Sequence, residues 1–179
     1  MRPATLNDID NIVNAFAHDM RNGHFHETDL ESLRKAIRSY IAEGKSGPAG
    51  REVPTFVYVY DAEGAFAACA VVRDLYRPKV DPVYPENTKE LWMLSVIQGK
   101  RGKGYGTEFT RELIRQYSDY HLVACCKQAS KRMAGILQTL RFVVIGKLRG
   151  SPGDTLLFFD ISRVAVDLKK RLLELGSIV

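Results

Sequence analysis

Leu91-Trp92-Met93-Leu94-Ser95-Val96-Ile97-Gln98-Gly99-Lys100-Arg101-Gly102-Lys103-Gly104-Tyr105-Gly106-Thr107 begins as an apolar run of strand length and passes into a basic, glycine-rich turn. It continues as a helix that buries Tyr105, Phe109, Leu113, Ile114 and Tyr117. The first turn of a helix leaves about four backbone N–H groups without intrahelical partners. They point outward with the positive end of the macrodipole, so an anion binds there. Gly102, Gly104 and Gly106 remove side chains that would hold a phosphate away, while Arg101 and Lys103 add charge. The segment therefore reads as a pyrophosphate site.

Two common phosphate motifs do not fit. A P-loop needs Lys-Ser/Thr where Tyr105-Gly106 stands, and a GxGxxG fingerprint started at Gly102 or Gly104 ends on Thr107 or Phe109. The pattern that fits is R-x-x-G-x-G, met by Arg101, Gly104 and Gly106 directly after the apolar strand.

Upstream, Arg2 to Leu6 reads as a short strand or extended entry, with Asn7 and Asp8 as helix caps. Ile9, Ile12, Val13, Phe16 and Met20 then fall on one helical face that ends at Asn22-Gly23. A second helix is predicted from Thr28, with Glu31 completing a capping box and Gly44 as its stop. Residues 44–53 read as a loop, Thr55 to Tyr60 and Ala65 to Leu75 as a hairpin. Residues 76–89 carry Pro78, Pro82 and Pro85 and cannot form a central strand.

Downstream come a strand over His121 to Lys127, a helix over Ser130 to Leu140, strands over Phe142 to Lys147 and Thr155 to Ile161, and a last helix over about Arg163 to Leu175. The two strand–helix–strand units suggest parallel pairing in this half. The fold class is α/β (α+β): one domain over residues 1–179 with a central mixed, mostly antiparallel sheet of about seven strands, flanked by helices, and a helical extension over 161–179.

Composition supports this reading. The chain has 179 residues, 45% apolar and 26% charged, which excludes a disordered chain. A net charge of +5 suits a phosphate-bearing ligand but does not argue for nucleic acid. Three cysteines, two of them adjacent, form no disulfide framework and point to a reducing, cytoplasmic setting. No apolar run approaches the ~20 residues that span a bilayer, so no membrane partner is expected.

The motif, its place after a strand, the opening Arg-Pro-Ala-Thr-Leu-Asn-Asp-Ile and the element order over about residues 1–161 resemble the GCN5-related N-acetyltransferases. The resemblance implies acetyl-coenzyme A as donor, its pyrophosphate on Arg101, Gly102, Lys103, Gly104, Tyr105, Gly106 and Thr107. It places the pantetheine arm along Leu94, Ser95 and Val96, in a splay between that strand and His121 to Lys127. The acceptor would be a primary amine of a small molecule or a protein, attacked directly in a ternary complex. The Val96 N–H is the candidate donor to the thioester carbonyl.

Glu90, eleven residues before Arg101, is the candidate base, a position at which some members carry a glutamate. Two-residue alternation would put Glu90, Trp92, Leu94 and Val96 on one face. The alternative for Glu90 is a strand-end surface carboxylate. The family's usual thiolate acid, a Tyr, falls here on Leu137, and its usual Asn falls on Ser130, which is expected to bond the pantetheine end. Tyr105, Tyr117, Tyr120 or a water would then supply the proton. The resemblance implies that His24, Phe25 and His26 lie in a loop bordering the acceptor site, with Tyr84 and Arg77 of the proline-rich segment beside the same cleft; the residues themselves read first as a plain solvent loop.

No metal is expected, since His24-x-His26 lacks a third ligand. Cys125 and Cys126 read first as small core residues, one facing each side of the sheet, and second as a ping-pong nucleophile. Lys169-Lys170-Arg171 reads as a solvated helix face, with a homodimer or nucleic-acid contact as the secondary reading. Two rival functions remain: a non-catalytic coenzyme A-binding module, and a toxin-like member acetylating aminoacyl-tRNA.

Overall fold

The computed structural model describes residues 1–25, 28–47, 52–75, 87–149 and 155–161. Along the chain these form β1 (Arg2–Pro3), α1 (Ile9–Arg21), α2 (Leu30–Glu43), β2 (Lys45–Ser46), β3 (Val53–Ala62), β4 (Ala65–Asp74) and β5 (Thr88–Val96). There follow α3 (Tyr105–Gln116), β6 (His121–Lys127), α4 (Lys131–Thr139), β7 (Val143–Arg149) and β8 (Thr155–Asp160). The eight described strands make one sheet in the order β1-β3-β4-β5-β6-β8-β7, with β2 paired to β3. The pairing is antiparallel throughout except between β5 and β6.

Each face of the sheet carries its own core. Alternation along β3 and β4 sends Val57, Val59, Cys69 and Val71 to one side, where Ile12, Val13 and Phe16 of α1 and Leu33 and Ile37 of α2 cover them. Tyr58, Ala68, Ala70 and Val72 go to the other, beneath Phe109 and Leu113 of α3 and Leu137 of α4.

Several expectations need correction. The second helix opens one residue later than Thr28: Asp29 is the N-cap, its carboxylate accepting from Ser32 N at 2.8 Å. Asp8 is the N-cap residue of α1, as expected, but its side chain makes no cap bond there: it also ends a 3-10 turn, and its carboxylate accepts from the amide and hydroxyl of Thr5 and from Arg2. The Arg2 guanidinium holds the Asp8 carboxyl well below the usual carboxylate range. Lys45–Ser46 is a short strand rather than loop, and Thr88 and Lys89 belong to β5.

The second strand–helix–strand unit gives no parallel neighbour. β8 inserts between β6 and β7 and pairs antiparallel with both. The turn at residues 150–154, Tyr84, Arg77, His26, the helix expected over Arg163 to Leu175 and its Lys169-Lys170-Arg171 lie outside the described residues. No described helix is long and apolar enough to cross a membrane.

Candidate functional site

The β4–β5 ladder carries an irregularity that organises the site. Val71 faces Met93 while Val72 faces Leu91, so Trp92 is an extra residue in β5, a bulge. It breaks the two-residue alternation. Trp92 and Met93 both pack on the α1/α2 side, whereas Leu91, Leu94 and Val96 pack on the α3/α4 side. The expected single face of Glu90, Trp92, Leu94 and Val96 is therefore split: Glu90, ion-paired to the Arg73 that lies over Trp92, belongs with the first group.

Just beyond the bulge, β5 and β6 part. Their parallel pairing runs from Thr88↔His121 to Leu91↔Ala124 and stops. Ile97 N donates to Ala67 O at 3.0 Å, so Val96 and Leu94 occupy the alternate positions, whose amides and carbonyls point away from β4. They face the opened gap. The Val96 N–H thus points into the gap, and the Leu94 N–H, nearer the closed end, shares that direction.

Ser95 does not belong to this set. Its side chain crosses to the α1 side and donates to Asp19 Oδ2 at 2.5 Å and to Ala15 O at 3.2 Å.

The gap is the floor of a cavity of about 1310 Å³, lined by Leu94, Val96, Arg101, Gly102, Gly104, Tyr105, Gly106 and Thr107 at one end. Gly102 and Gly104 have φ of +78° and +87°, a region that side chains disfavour, and a Cβ on either would stand in open space. Among the described residues no backbone carbonyl outside a helix or strand accepts from the amides of Gly102, Lys103 or Gly104. Tyr105 and Gly106, the first two residues of α3, likewise donate to no described carbonyl a turn earlier. Five successive main-chain donors are thus available at a helix N-terminus.

Gly106 serves packing instead: a Cβ there would lie 3.1 Å from Ile136 Cδ1 and 3.3 Å from Val96 Cγ2.

The charges around the turn differ from expectation. Arg101 does not reach outward. Its Nε donates to Val96 O at 2.8 Å and its Nη2 to Asp19 Oδ1 at 2.5 Å, so it braces the turn against β5 and α1. Lys100 pairs with Glu63, which also accepts from the Tyr105 hydroxyl at 3.0 Å. Lys103 is exposed, and Lys131 and Arg132 at the start of α4 line the same cavity. Asp19 was missed by the sequence reading. Its signal is a carboxylate in the last turn of a helix, where the macrodipole disfavours it unless a cation is near.

At the other end the cavity is walled by Phe25, Tyr40, Arg73, Glu90, Trp92 and Cys125. Glu90 is buried and accepts from Arg73 Nε at 2.8 Å, so it is not a surface carboxylate. Arg73 and Tyr40 were not anticipated either. Arg73 and Asp74 close an apolar run from Ala65 to Val72, which is the mark Arg73 leaves in the sequence.

His24 and Ser130 come together: Ser130 Oγ lies 3.3 Å from His24 Nδ1, although one ends the α1 segment and the other caps α4. Ser130 is the N-cap, yet its hydroxyl makes no cap hydrogen bond. Phe25 packs edge-on against Phe16 with ring centroids 5.6 Å apart, which fixes this corner of the wall.

Leu137 is fully buried in the α3/α4 core, so no acid stands at that position. Tyr117 is buried against Tyr58, 2.8 Å from its hydroxyl, and burial raises its phenol well above the usual range. Tyr120 is exposed beside Lys89, away from the cavity. Of the three tyrosines only Tyr105 lines the cavity, at the glycine turn.

Cys125 and Cys126 both touch the cavity. Burial pushes the Cys125 thiol up to about 12 and the Cys126 thiol up to about 11, with Glu90 adding to the first. Both remain thiols near neutral pH and are poor nucleophiles. Mass spectrometry of protein incubated with an acyl thioester near neutral pH should therefore show neither cysteine acylated.

Neither a family model nor a curated protein matches this sequence. Solved structures are similar in fold. A ribosomal-protein-alanine N-acetyltransferase from Brucella melitensis matches at a TM-score of 0.67 and 19% identity, over 89% of this chain and 96% of its own. An N-acetyltransferase from Staphylococcus aureus Mu50 matches at 0.66 and 17% identity, over 90% of this chain and 97% of its own. The aminoglycoside acetyltransferase AAC(6')-Ib, solved with coenzyme A and kanamycin, matches at 0.69 and 13% identity, over 93% of this chain and 95% of its own.

Proposed function

We propose, for a chain whose fold is that of the GCN5-related N-acetyltransferases, that it transfers the acetyl group of acetyl-coenzyme A directly to a primary amine. The observation that carries this reading is the row of unpaired amides at Gly102–Gly106 opening onto the gap between β5 and β6. A diphosphate fits bare main-chain donors at a helix N-terminus. A pantetheine arm fits strand amides that have lost their neighbour, because its own amides need partners.

In this reading Gly102 to Gly106 hold the diphosphate, and Lys103, Lys131 and Arg132 neutralise its charge. Leu94 and Val96 pair with the arm. One of their N–H groups donates to the thioester oxygen as it becomes an oxyanion. Ser130, backed by His24, bonds the arm from the opposite wall. Glu90 takes the proton of the attacking nitrogen as the C–N bond forms. The C–S bond breaks, the sulfur leaves with the electron pair, and water protonates it, since Leu137 offers no acid.

The buried Leu137 also favours a second reading, a module that binds coenzyme A without catalysis. Calorimetry with acetyl-coenzyme A, followed by a free-thiol release assay over a panel of primary amines and peptides, separates the two. Binding with thiol release is expected. Binding without release across the panel selects the module, and absence of binding sinks both.

Gly104→Ala should weaken coenzyme A about tenfold or more. The new methyl meets no protein atom within 4 Å, so the clash is with the ligand. The left-handed φ adds about 1–2 kcal/mol of strain, seen as a lower melting temperature. Unchanged affinity would remove the turn from the donor site.

A further inference from the structure

The wing of the cavity remote from the glycine turn holds one charged pair on an aromatic wall. Arg73 donates from Nε to Glu90 Oε2 at 2.8 Å, and its guanidinium carbon lies 3.8 Å from the centroid of the Trp92 ring. Tyr40 packs against the other part of that ring, centroids 6.0 Å apart. Stacking and the Nε bond together fix the plane of the guanidinium. Among the described residues Glu90 is the one acceptor it bonds, none takes its Nη edge, and Arg73 lines the cavity.

Two parallel N–H groups on that edge match a carboxylate. A carboxylate seated there has Glu90 on the adjoining edge. An amine one carbon away from that carboxylate then lies against Glu90.

The charge balance of the wall points the same way. Asp19 and Glu90 are the acidic residues lining the cavity among those described, and each is already paired with an arginine. A polycation would find no uncompensated carboxylate. A zwitterion with one ammonium and one carboxylate meets both halves of the Arg73–Glu90 pair, and an apolar remainder meets Trp92, Tyr40 and Phe25.

We propose that the acceptor is a free α-amino acid with an apolar or aromatic side chain, its carboxylate on Arg73 and its amine at Glu90. This assignment rests on the acetyl-transfer reading above.

Trp92 is the only tryptophan of the chain and lies directly under Arg73, so its fluorescence reports the site without any turnover. The full chain is titrated with L-leucine and L-phenylalanine, and in parallel with L-leucinamide, phenethylamine and spermidine. A saturable change of Trp92 emission is expected with the two amino acids. At least about thirtyfold weaker responses are expected with the two amines that lack the carboxylate, and none with spermidine. Arg73→Met should abolish the amino-acid response, and Arg73→Lys should weaken it, because an ammonium lacks the fork.

With acetyl-coenzyme A present, thiol release should follow the same order, kcat/KM for the amino acids exceeding that for phenethylamine about 100-fold. Equal or stronger responses to phenethylamine, leucinamide or spermidine overturn the proposal, as does silence toward both amino acids. Deleting the carboxylate from the ligand keeps the test decisive even if an Arg73 variant fails to fold. Failure to bind coenzyme A in calorimetry sinks the acetyl-transfer reading separately, whatever the fluorescence shows.

Discussion

Glu90→Gln is expected to lower turnover near neutral pH by about 10²–10⁴-fold, the range of a lost general base, with coenzyme A affinity unchanged. The side chain is held in the cavity wall by its bond to Arg73, and it is buried. Gln keeps the shape and an oxygen that can accept from Arg73, but it cannot take a proton.

Removing the charge leaves a half-buried guanidinium less well compensated, and some loss of stability accompanies the change. Thermal melting of the variant is therefore measured with its kinetics. A variant that melts well above the assay temperature, binds coenzyme A and turns over slowly identifies Glu90 as the base. Turnover equal to the parent's removes it from that role.

Asp19→Ala should give the largest loss of stability. Asp19 accepts from Arg101 Nη2 and from Ser95 Oγ, both at 2.5 Å, and it is buried. Its removal leaves the Arg101 guanidinium without its counter-charge, while the Ser95 hydroxyl keeps only the longer bond to Ala15 O. Breaking a buried pair from one side costs about 3–5 kcal/mol. Arg101 keeps some solvent contact, its side chain being 23% exposed, which puts the variant at the lower end of that range.

At roughly 2–4 °C per kcal/mol for a chain of this size, the melting temperature should fall by about 6–12 °C. Coenzyme A binding should weaken as well, because Arg101 ties the glycine turn to Val96 O. Asp19→Asn, which keeps the acceptor geometry on one oxygen, should fall between the two. Calorimetric melting of the three proteins checks this. An Asp19→Ala protein that melts with the parent would show that Arg101 needs no partner.

Much of the framework can be read along the chain because it depends on local periodicity. The faces of α1 and α3, the αL stop at Gly44 and the strand over His121–Lys127 follow from spacing of 3.6 or 2 residues and from glycine's freedom at positive φ. The glycine turn is legible for the same reason: its amides are left unpaired by the start of a helix, which is a property of the local backbone. The Asp29 cap lies one residue from the Thr28 expectation because two cap-competent side chains are adjacent and only the geometry of the incoming chain chooses between them.

The site is less legible. Arg101 carries the right charge in the right motif, yet it points inward, because a carboxylate 82 residues away on α1 is a better partner than solvent. The Ser95 side chain, on the face opposite Leu94 and Val96, bonds the same carboxylate.

By itself, the sequence determined the order of the elements, the two apolar faces of the sheet and a row of bare amides after β5, all products of short-range backbone geometry. Only the tertiary structure decided which side chains reach the cavity. A bulge at Trp92 breaks the alternation of β5, so Glu90 and Trp92 stay on the α1/α2 side with Arg73 while Leu94 and Val96 fall on the α3/α4 side. An inserted residue shifts every later side chain to the opposite face, and nothing in the spacing of Glu90 to Val96 marks where β4 fails to match it.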